Sequence, residues 1–384
     1  MSITRDPAHR GSAPLILHVT EAMGGGLEDA VNDFVRSAPG YRHALLYTRR
    51  GAFGTAEQRP GLVEVIDAGR GVRSLRRVYG STVRRLAPDV IHLHSAWAGL
   101  IGRLQTRGPR SAPIVYSPHS YFFDRRDLSA PARLTARLLE RVLSARTDLT
   151  AAVSPFEAET ARRLGSGAEY IPNIARLPRD LRWAGGTGAK EVVLVGRVTA
   201  QKDPAFLLAM LPHLDADVRL TWVGAGDAAT EDRLRAAGVR VTGWVPRSEC
   251  LTLMASADAY LHTAAWEGSP ITLLEAAVLG VPVVARAIPA LDSLGFDPRL
   301  RTPRAVALAL TELLAGGVAP VAPSAPSPQE QADAIGRAYA RVLRGPLRSE
   351  QPVPVPVPVS VEPTATRSSV RRPEEGVPAG RSRS

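Results

Sequence analysis

The residues with the most chemical potential lie in one run, Glu267-Gly268-Ser269-Pro270-Ile271-Thr272-Leu273-Leu274-Glu275-Ala276. Ser269 is a good N-cap and Pro270 a good first helical residue. A helix starting there leaves the Ile271 and Thr272 amides free, a ready site for an anion. Glu267 falls on the loop before the cap, and Glu275 falls more than a turn inside, among Leu273, Leu274, Ala276 and Ala277. A carboxylate in such surroundings is costly without donors. A ribose diol would supply two; backbone amides or an arginine would serve equally. A second run, Gly196-Arg197-Val198-Thr199-Ala200-Gln201-Lys202-Asp203, carries two cations. They can converge on one diphosphate or stand as a solvated pair. Lys202 is one of only two lysines, with Lys190, among 48 basic residues, and its compact ammonium differs from a guanidinium.

In the first half, Gly24-Gly25-Gly26 precedes a helical pattern that opens at Leu27. Glycines there either make a flexible turn or let backbone approach a phosphate or sugar closely. His94 and His119 each follow a strand pattern, and His119 is the better placed for chemistry.

These groups need a scaffold, and the hydrophobic rhythm describes one. Strands are expected at Leu15–Thr20, His43–Tyr47, Val63–Asp67, Val90–His94, Ile114–Ser117 and Leu149–Val153, with amphipathic segments at Leu27–Ser37, Val72–Leu86, Ala98–Gln105 and Arg133–Ser144 between them. The rhythm pauses and then resumes with strands at Glu191–Gly196, Arg219–Val223, Val239–Thr242, Ala259–His262 and Val281–Ala285. Helical patterns follow near Asp203–Leu211, Thr230–Ala237, Ser248–Ser256, Pro270–Leu279, Arg304–Ala315 and Gln329–Leu343. Such alternation predicts α/β architecture: two doubly wound parallel-sheet domains facing each other across a cleft. Ligands of such sheets sit at the carboxyl ends of strands, where Gly24–Gly26, His94, His119 and the Gly196–Asp203 run fall. The expected division is a leader over 1–13, an N-terminal domain over 14–172 and a linker over 173–190. A C-terminal domain over 191–346 follows, its last helix packing back on the first domain, and then a disordered Pro/Val/Arg/Ser tail over 347–384.

Together these motifs resemble the retaining family-4 glycosyltransferases of the GT-B fold. The resemblance rests on Glu267…Glu275, Gly196-Arg197 with Lys202, Val223-Gly224-x-Gly226, Thr242-Gly243-Trp244-Val245 and Gly280-Val281-Pro282-Val283-Val284. It extends to His18-Val19-Thr20-Glu21, Asp89-Val90-Ile91-His92-Leu93-His94-Ser95 and Ser117-Pro118-His119. It implies a nucleotide-sugar donor in the C-terminal domain. Arg197 and Lys202 would hold the diphosphate with the Ile271 and Thr272 amides, and Glu275 the ribose. Glu267 would position the donor sugar with the Gly268–Ser269 backbone, and the base would lie near Gly243–Val245. Gly25, Gly26 and His119 would close from the facing domain. His119 and Glu267 are thus the expected catalytic pair. The implied reaction is a retaining hexosyl transfer to a hydroxyl of a glycan, glycolipid or lipid-linked acceptor. No Asp-x-Asp pair stands at a strand end, so no metal or other cofactor is expected. One departure is the short stretch after Ala285, Arg286-Ala287-Ile288-Pro289-Ala290-Leu291, where the family often carries a longer Gly-rich segment.

Composition narrows the alternatives. Of 384 residues, 45% are hydrophobic and Cys250 is the only cysteine, which excludes a disulfide-stapled module. No apolar run approaches the ~20 residues of a membrane-spanning helix, and Arg5, Asp6, His9 and Arg10 interrupt any signal peptide. A soluble cytoplasmic protein is therefore expected. The net charge of +11 is concentrated before residue 181, and such a field draws anionic partners. The Arg-studded Val72–Leu86 segment reads either as a membrane-surface helix or as an ordinary exposed one, so peripheral contact with an anionic inner membrane face is an expectation. No nucleic-acid motif accompanies the charge. A nucleotide-sugar epimerase and a non-enzymatic nucleotide-sugar binder remain competing readings. A dinucleotide oxidoreductase is disfavoured: Gly224-Ala225-Gly226-Asp227-Ala228-Ala229 nearly fits its fingerprint, but the next strand lacks the acid for a ribose 2′-hydroxyl.

Overall fold

The computed structural model describes residues 13–49, 61–106, 111–184, 188–320 and 322–344. All but the last residue of the expected leader, the tail over 347–384 and most of the Gly185–Gly188 cluster lie outside them.

In the N-terminal half the apolar and amphipathic runs become β1 (Leu15–Met23), α1 (Gly26–Arg36), β2 (Arg42–Arg49), β3 (Leu62–Arg70), α2 (Gly71–Leu86) and β4 (Val90–His94). They continue as α3 (Ala96–Gln105), β5 (Ile114–Ser117), α4 (Ala130–Ser144), β6 (Leu149–Ala152), α5 (Pro155–Leu164) and β7 (Ala168–Tyr170). The seven strands form a parallel sheet in the order β3-β2-β1-β4-β5-β6-β7. Register sets His18 opposite His92 and Thr20 opposite His94, while Ile16 faces His43 on the other side of β1. Histidines distant in sequence thus gather on adjoining strands.

The second half builds β8 (Glu191–Val195), α6 (Pro204–Met210), β9 (Arg219–Val223), α7 (Ala228–Ala236), β10 (Arg240–Val241) and α8 (Arg247–Ala255). After these come β11 (Ala259–His262), α9 (Ile271–Leu279), β12 (Val283–Ala285), α10 (Pro289–Ser293), α11 (Pro303–Leu314) and α12 (Pro328–Leu343). Its parallel sheet runs β10-β9-β8-β11-β12. One face buries Leu194, Trp222, Leu261 and Leu310, the other Val193, Tyr260, Leu273 and Val283. α12 crosses back to the first sheet, packing Ile335, Ala338 and Tyr339 against Ile16, Val90 and Val115. Gln331 at its start donates to the Pro172 carbonyl at 2.8 Å, and the Ser37 hydroxyl donates to Gln331 at 2.7 Å.

Several elements differ from the sequence reading. α5 and β7 were not expected; α5 starts where Ser154 accepts from the Glu157 amide at 3.3 Å, with Pro155 at the first helical position. The strand expected from Val281 begins at Val283, because the Val281 amide is taken by Ala276 O at 3.0 Å after Gly280 turns left-handed. Of the two readings of Val72–Leu86, the structure favours the ordinary exposed helix. α2 buries Leu75 and Tyr79 and packs Val72, Val78, Val83 and Leu86 on the core, so its apolar face is already used. α4 is the reverse case. Its one carboxylate, Glu140, turns inward to a bidentate pair with buried Arg103 at 2.8 and 3.0 Å. Leu134, Leu138 and Val142, spaced four apart, point outward and are 60%, 55% and 71% exposed.

Candidate functional site

β8 ends at Val195, and the chain turns through Gly196 to Thr199, whose carbonyl accepts from the Lys202 amide at 3.0 Å. Asp203 then caps α6 through the Phe206 amide at 3.1 Å. This tight turn swings the Lys202 ammonium onto the Glu267 carboxylate at 2.6 Å, and Gln201 donates to the same carboxylate at 3.1 Å. Glu267 is therefore engaged by both the Lys202 ammonium and the Gln201 side-chain amide.

α9 begins one residue later than expected, which corrects the Ser269 cap. Pro270 occupies the cap position, and the Ser269 carbonyl accepts from Asn173 Nδ2 at 2.8 Å. The Leu273 and Leu274 amides are the first to bond back, both to Pro270 O. Ile271 and Thr272 thus sit on the open first turn, with the positive end of the helix dipole behind them. Glu275 is 1% exposed and pairs with Arg247 Nη2. Of the partners for this carboxylate read from sequence, the structure shows an arginine. Burial still pushes its carboxyl up to about 7, because desolvation outweighs the guanidinium. Arg247 also lies 3.5 Å from Asp29 at the start of α1, which ties the two sides of the cleft.

At Gly268 the two halves come into close contact. A Cβ there would lie 2.9 Å from the Ser120 amide nitrogen and Val153 Cγ2, and 3.1 Å from the His119 carbonyl carbon. The facing loop is correspondingly constrained. His119 and Ser120 have φ of 52° and 81°, a conformation costing about 1–3 kcal/mol per residue unless the surroundings impose it. Glu157 imposes it, accepting from the Ser120 amide at 2.8 Å and the Val153 amide at 2.7 Å. Its buried carboxyl is pushed up to about 7 by desolvation. At the neighbouring strand end Glu21 accepts from Ser95 Oγ at 2.6 Å and the Ala98 amide at 3.0 Å.

His119 ends a chain of imidazoles. Its Nε2 lies 3.1 Å from His94 Nδ1, His94 Nε2 lies 3.0 Å from His18 Nδ1, and His18 Nε2 lies 3.0 Å from His43 Nδ1. The last nitrogen, His43 Nε2, reaches Ala38 O at 2.9 Å. Burial lowers all four pKa values, that of His119 to about 4. Beside the chain, His92 bonds Tyr339 Oη and Ser117 Oγ. His18, His92 and His94 cluster closely enough to suggest a metal site, but all six of their ring nitrogens already have protein partners.

Two cavities open on these groups. The larger, about 760 Å³, is lined by Gly25, Gly26, His119, Arg197, Lys202, Val245, Glu267, Gly268, Ser269, Ile271, Thr272 and Glu275. Its volume lies within the ~300–1,000 Å³ usual for small-molecule sites. Gly25 N-caps α1 with φ 59°, so that helix also opens its N-terminus to the cavity. Gly243 is not brought to the lining: it turns with φ 74° and bridges Gly224, presenting Trp244 and Val245 in its place. A second cavity of about 590 Å³ shares His119 and Arg197 and adds Trp97, Phe122, Arg125 and Asp127. Sequence reasoning missed Asn173, Arg247, Asp29, Gln201, Glu157 and Glu21. The pattern Pro172-Asn173 before the pause in rhythm was one signal that could have found Asn173; the others act through contacts between elements.

Comparison with known proteins agrees with this geometry. The family model described as "Glycosyl transferases group 1" matches residues 189–316, and that described as "Glycosyl transferase 4-like domain" matches residues 11–174. An uncharacterised 41.2 kDa protein of the Klebsiella pneumoniae cps region is 24% identical over 73% of this chain and 83% of its own length. The 2-deoxystreptamine N-acetyl-D-glucosaminyltransferase of Streptomyces fradiae is 29% identical over 59% of this chain and 62% of its own. The UDP-Gal:alpha-D-GlcNAc-diphosphoundecaprenol alpha-1,3-galactosyltransferase of Escherichia coli is 22% identical, over 59% and 64%. Among solved structures, the sucrose-phosphate synthase of Thermosynechococcus elongatus superposes with a TM-score of 0.63 at 17% identity, over 86% of this chain and 94% of that one. Anabaena HepE in complex with UDP and glucose superposes at 0.61 and 18% identity, over 86% and 95%. With two parallel sheets, a shared cleft and both family models matched, the chain belongs to the GT-B glycosyltransferases of the group 1/family 4 type.

Proposed function

We propose that this glycosyltransferase moves a hexosyl-type sugar from a nucleotide-sugar donor to a hydroxyl of a glycan, glycolipid or lipid-linked acceptor, with retention and without a metal. The observation that carries the reading is the convergence of Arg197, Lys202, the open first turn of α9 and buried Glu275 on one cavity. As the bond from sugar carbon to phosphate oxygen breaks, negative charge grows on the leaving nucleoside diphosphate. Two cations and a helix N-terminus stabilise that charge where it develops. Glu267, held by Lys202 and Gln201, positions the donor sugar. The acceptor oxygen bonds to the sugar carbon on the face the phosphate leaves, and the phosphate takes the acceptor's proton. Relatives named for N-acetylglucosaminyl and UDP-galactosyl transfer support a nucleotide-sugar donor. Product anomers read by proton NMR in a reaction containing EDTA test the reading. Inverted product, or transfer abolished by EDTA, would overturn it.

The acceptor side supports a lipid-linked substrate at an anionic membrane face. The exposed ridge of Leu134, Leu138 and Val142 on α4 has Arg137 and Arg141 exposed beside it and no exposed carboxylate of its own. An apolar ridge flanked by arginines is the chemistry of an interfacial helix. α4 follows directly on Phe122, Arg125 and Asp127, which line the second cavity, so a docked ridge would bring lipid near the acceptor mouth. Among the described residues no helix is long and apolar enough to cross a membrane, so the association would be peripheral. Co-sedimentation with vesicles containing phosphatidylglycerol should exceed that with phosphatidylcholine alone, and Leu138→Glu should abolish the difference. Equal pelleting on both would refute the docking surface.

A further inference from the structure

The histidine chain has a direction, and its far end fixes it. A backbone carbonyl can only accept, so the hydrogen between His43 and Ala38 sits on His43 Nε2. A neutral ring protonated at Nε2 offers only an acceptor at Nδ1. His18 must then donate from Nε2 to His43, and its own Nδ1 must accept from His94 Nε2. His94 Nδ1 in turn must accept from His119 Nε2. Each link determines the next, and the last leaves His119 with a bare Nδ1.

We propose that His43, His18 and His94 are positioning residues that lock His119 as the Nε2–H tautomer, so that Nδ1 accepts a hydrogen bond from a hydroxyl of the donor sugar. The role in sugar recognition rests on the function proposed above; the lock itself does not. The chain does not export protons. A proton pushed along it would have to leave through the Ala38 carbonyl, which has no basic lone pair to hold one. What the chain supplies is orientation. The rings of His18 and His94, and of His94 and His119, lie within 22° of parallel at 5.3 and 5.4 Å, and the strand register of β1, β2 and β4 holds the backbones of His18, His43 and His94. A hydroxyl both donates and accepts, so an acceptor fixed in the cavity wall dictates which way it must point.

The test is ¹⁵N NMR of the full chain labelled at histidine, at pH 7.5 without ligand. Wild-type His119 should show a protonated Nε2 and an unprotonated Nδ1. His94→Leu removes the acceptor for His119 Nε2 and should give a mixture of tautomers. His94→Asn, whose amide oxygen replaces Nδ1 as acceptor, should keep the wild-type state. Calorimetry with UDP-, GDP- and ADP-glucose, each against its nucleoside diphosphate, reads the consequence. For the pair that binds, the gain contributed by the sugar should fall about three- to tenfold in His94→Leu, as expected for one hydrogen bond, and be restored in His94→Asn. A wild-type His119 protonated at Nδ1, or a tautomer unchanged in His94→Leu, would overturn the lock. Should His94→Leu not fold, loss of the Nε2–H state in His94→Asn would do the same. An Nε2–H His119 in a protein that binds none of the sugar nucleotides would overturn the sugar contact and leave the lock standing.

Discussion

Acid should unfold this protein early, and the sequence of titrations can be worked out from its interior. Six histidines, 18, 43, 92, 94, 119 and 262, have pKa values lowered by burial. They are neutral in the fold and titrate near 6.5 once unfolded. Below that pH the unfolded chain binds protons the folded one refuses, so this contribution to stability is present above 6.5 and is lost as pH falls. Five carboxyls oppose it, Asp29 and Asp33 among them, both raised by burial. Burial raises Glu275 and Glu157 to about 7 and Asp124 to about 6. Their folded forms keep protons the unfolded chain gives up, so they favour folding below their ordinary values and cease to do so as pH rises through 6 to 7. Near pH 5.5 the six histidines outweigh the carboxyls, and the balance is about one to three protons in favour of the unfolded state, or about 1.4–4 kcal/mol per pH unit. Against a total stability of about 5–15 kcal/mol, a substantial part of the margin is gone within two units below neutrality. Urea unfolding followed by tryptophan fluorescence from pH 7.5 to 5 measures it. A stability that changes by less than one proton's worth, about 1.4 kcal/mol per pH unit, would refute the assignment of these histidines as buried and neutral.

Three substitutions probe other contacts. Gly268→Ala places a Cβ against the Ser120 amide and His119 backbone; it should cost about 1–3 kcal/mol in urea unfolding by overpacking. An unshifted midpoint would show that the loops can separate freely. Arg103→Met leaves buried Glu140 without its bidentate partner and should destabilise by about 3–5 kcal/mol, read by thermal melting. Lys202→Ala should weaken nucleoside diphosphate binding by about 1.5–3 kcal/mol, the worth of a charge-assisted hydrogen bond, in calorimetry. Undiminished affinity would mean that Lys202 serves only Glu267.

The alternation of strands and helices was legible because each element carries its own period, and the Glu267…Glu275 run because a cap, a proline and an apolar stripe are adjacent in sequence. What escaped required knowing which elements meet. β7 is three residues long and α5 is marked mainly by its Ser154-Pro155 start. Val72–Leu86 and Arg133–Ser144 are both amphipathic and arginine-rich, and periodicity does not say which apolar face the core takes. The sheet takes that of α2 and leaves the α4 ridge outside. The histidine chain depends on strand order β2-β1-β4-β5, which places four rings from distant positions in line. Glu275 illustrates the remaining difficulty. Its burial was readable from Leu273, Leu274 and Ala276, but its arginine partner arrives from α8, 28 positions upstream.

We propose the cavity over α9 as a metal-independent nucleotide-sugar site. Calorimetric titration of the full chain in EDTA with UDP-, GDP- and ADP-glucose tests it most directly, run in parallel on Glu275→Ala. One nucleotide series should bind the wild type, and Glu275→Ala should lose that binding while melting cooperatively. Equal affinity in the variant, or binding that appears only when a divalent metal is added, would contradict a metal-independent nucleotide-sugar site there.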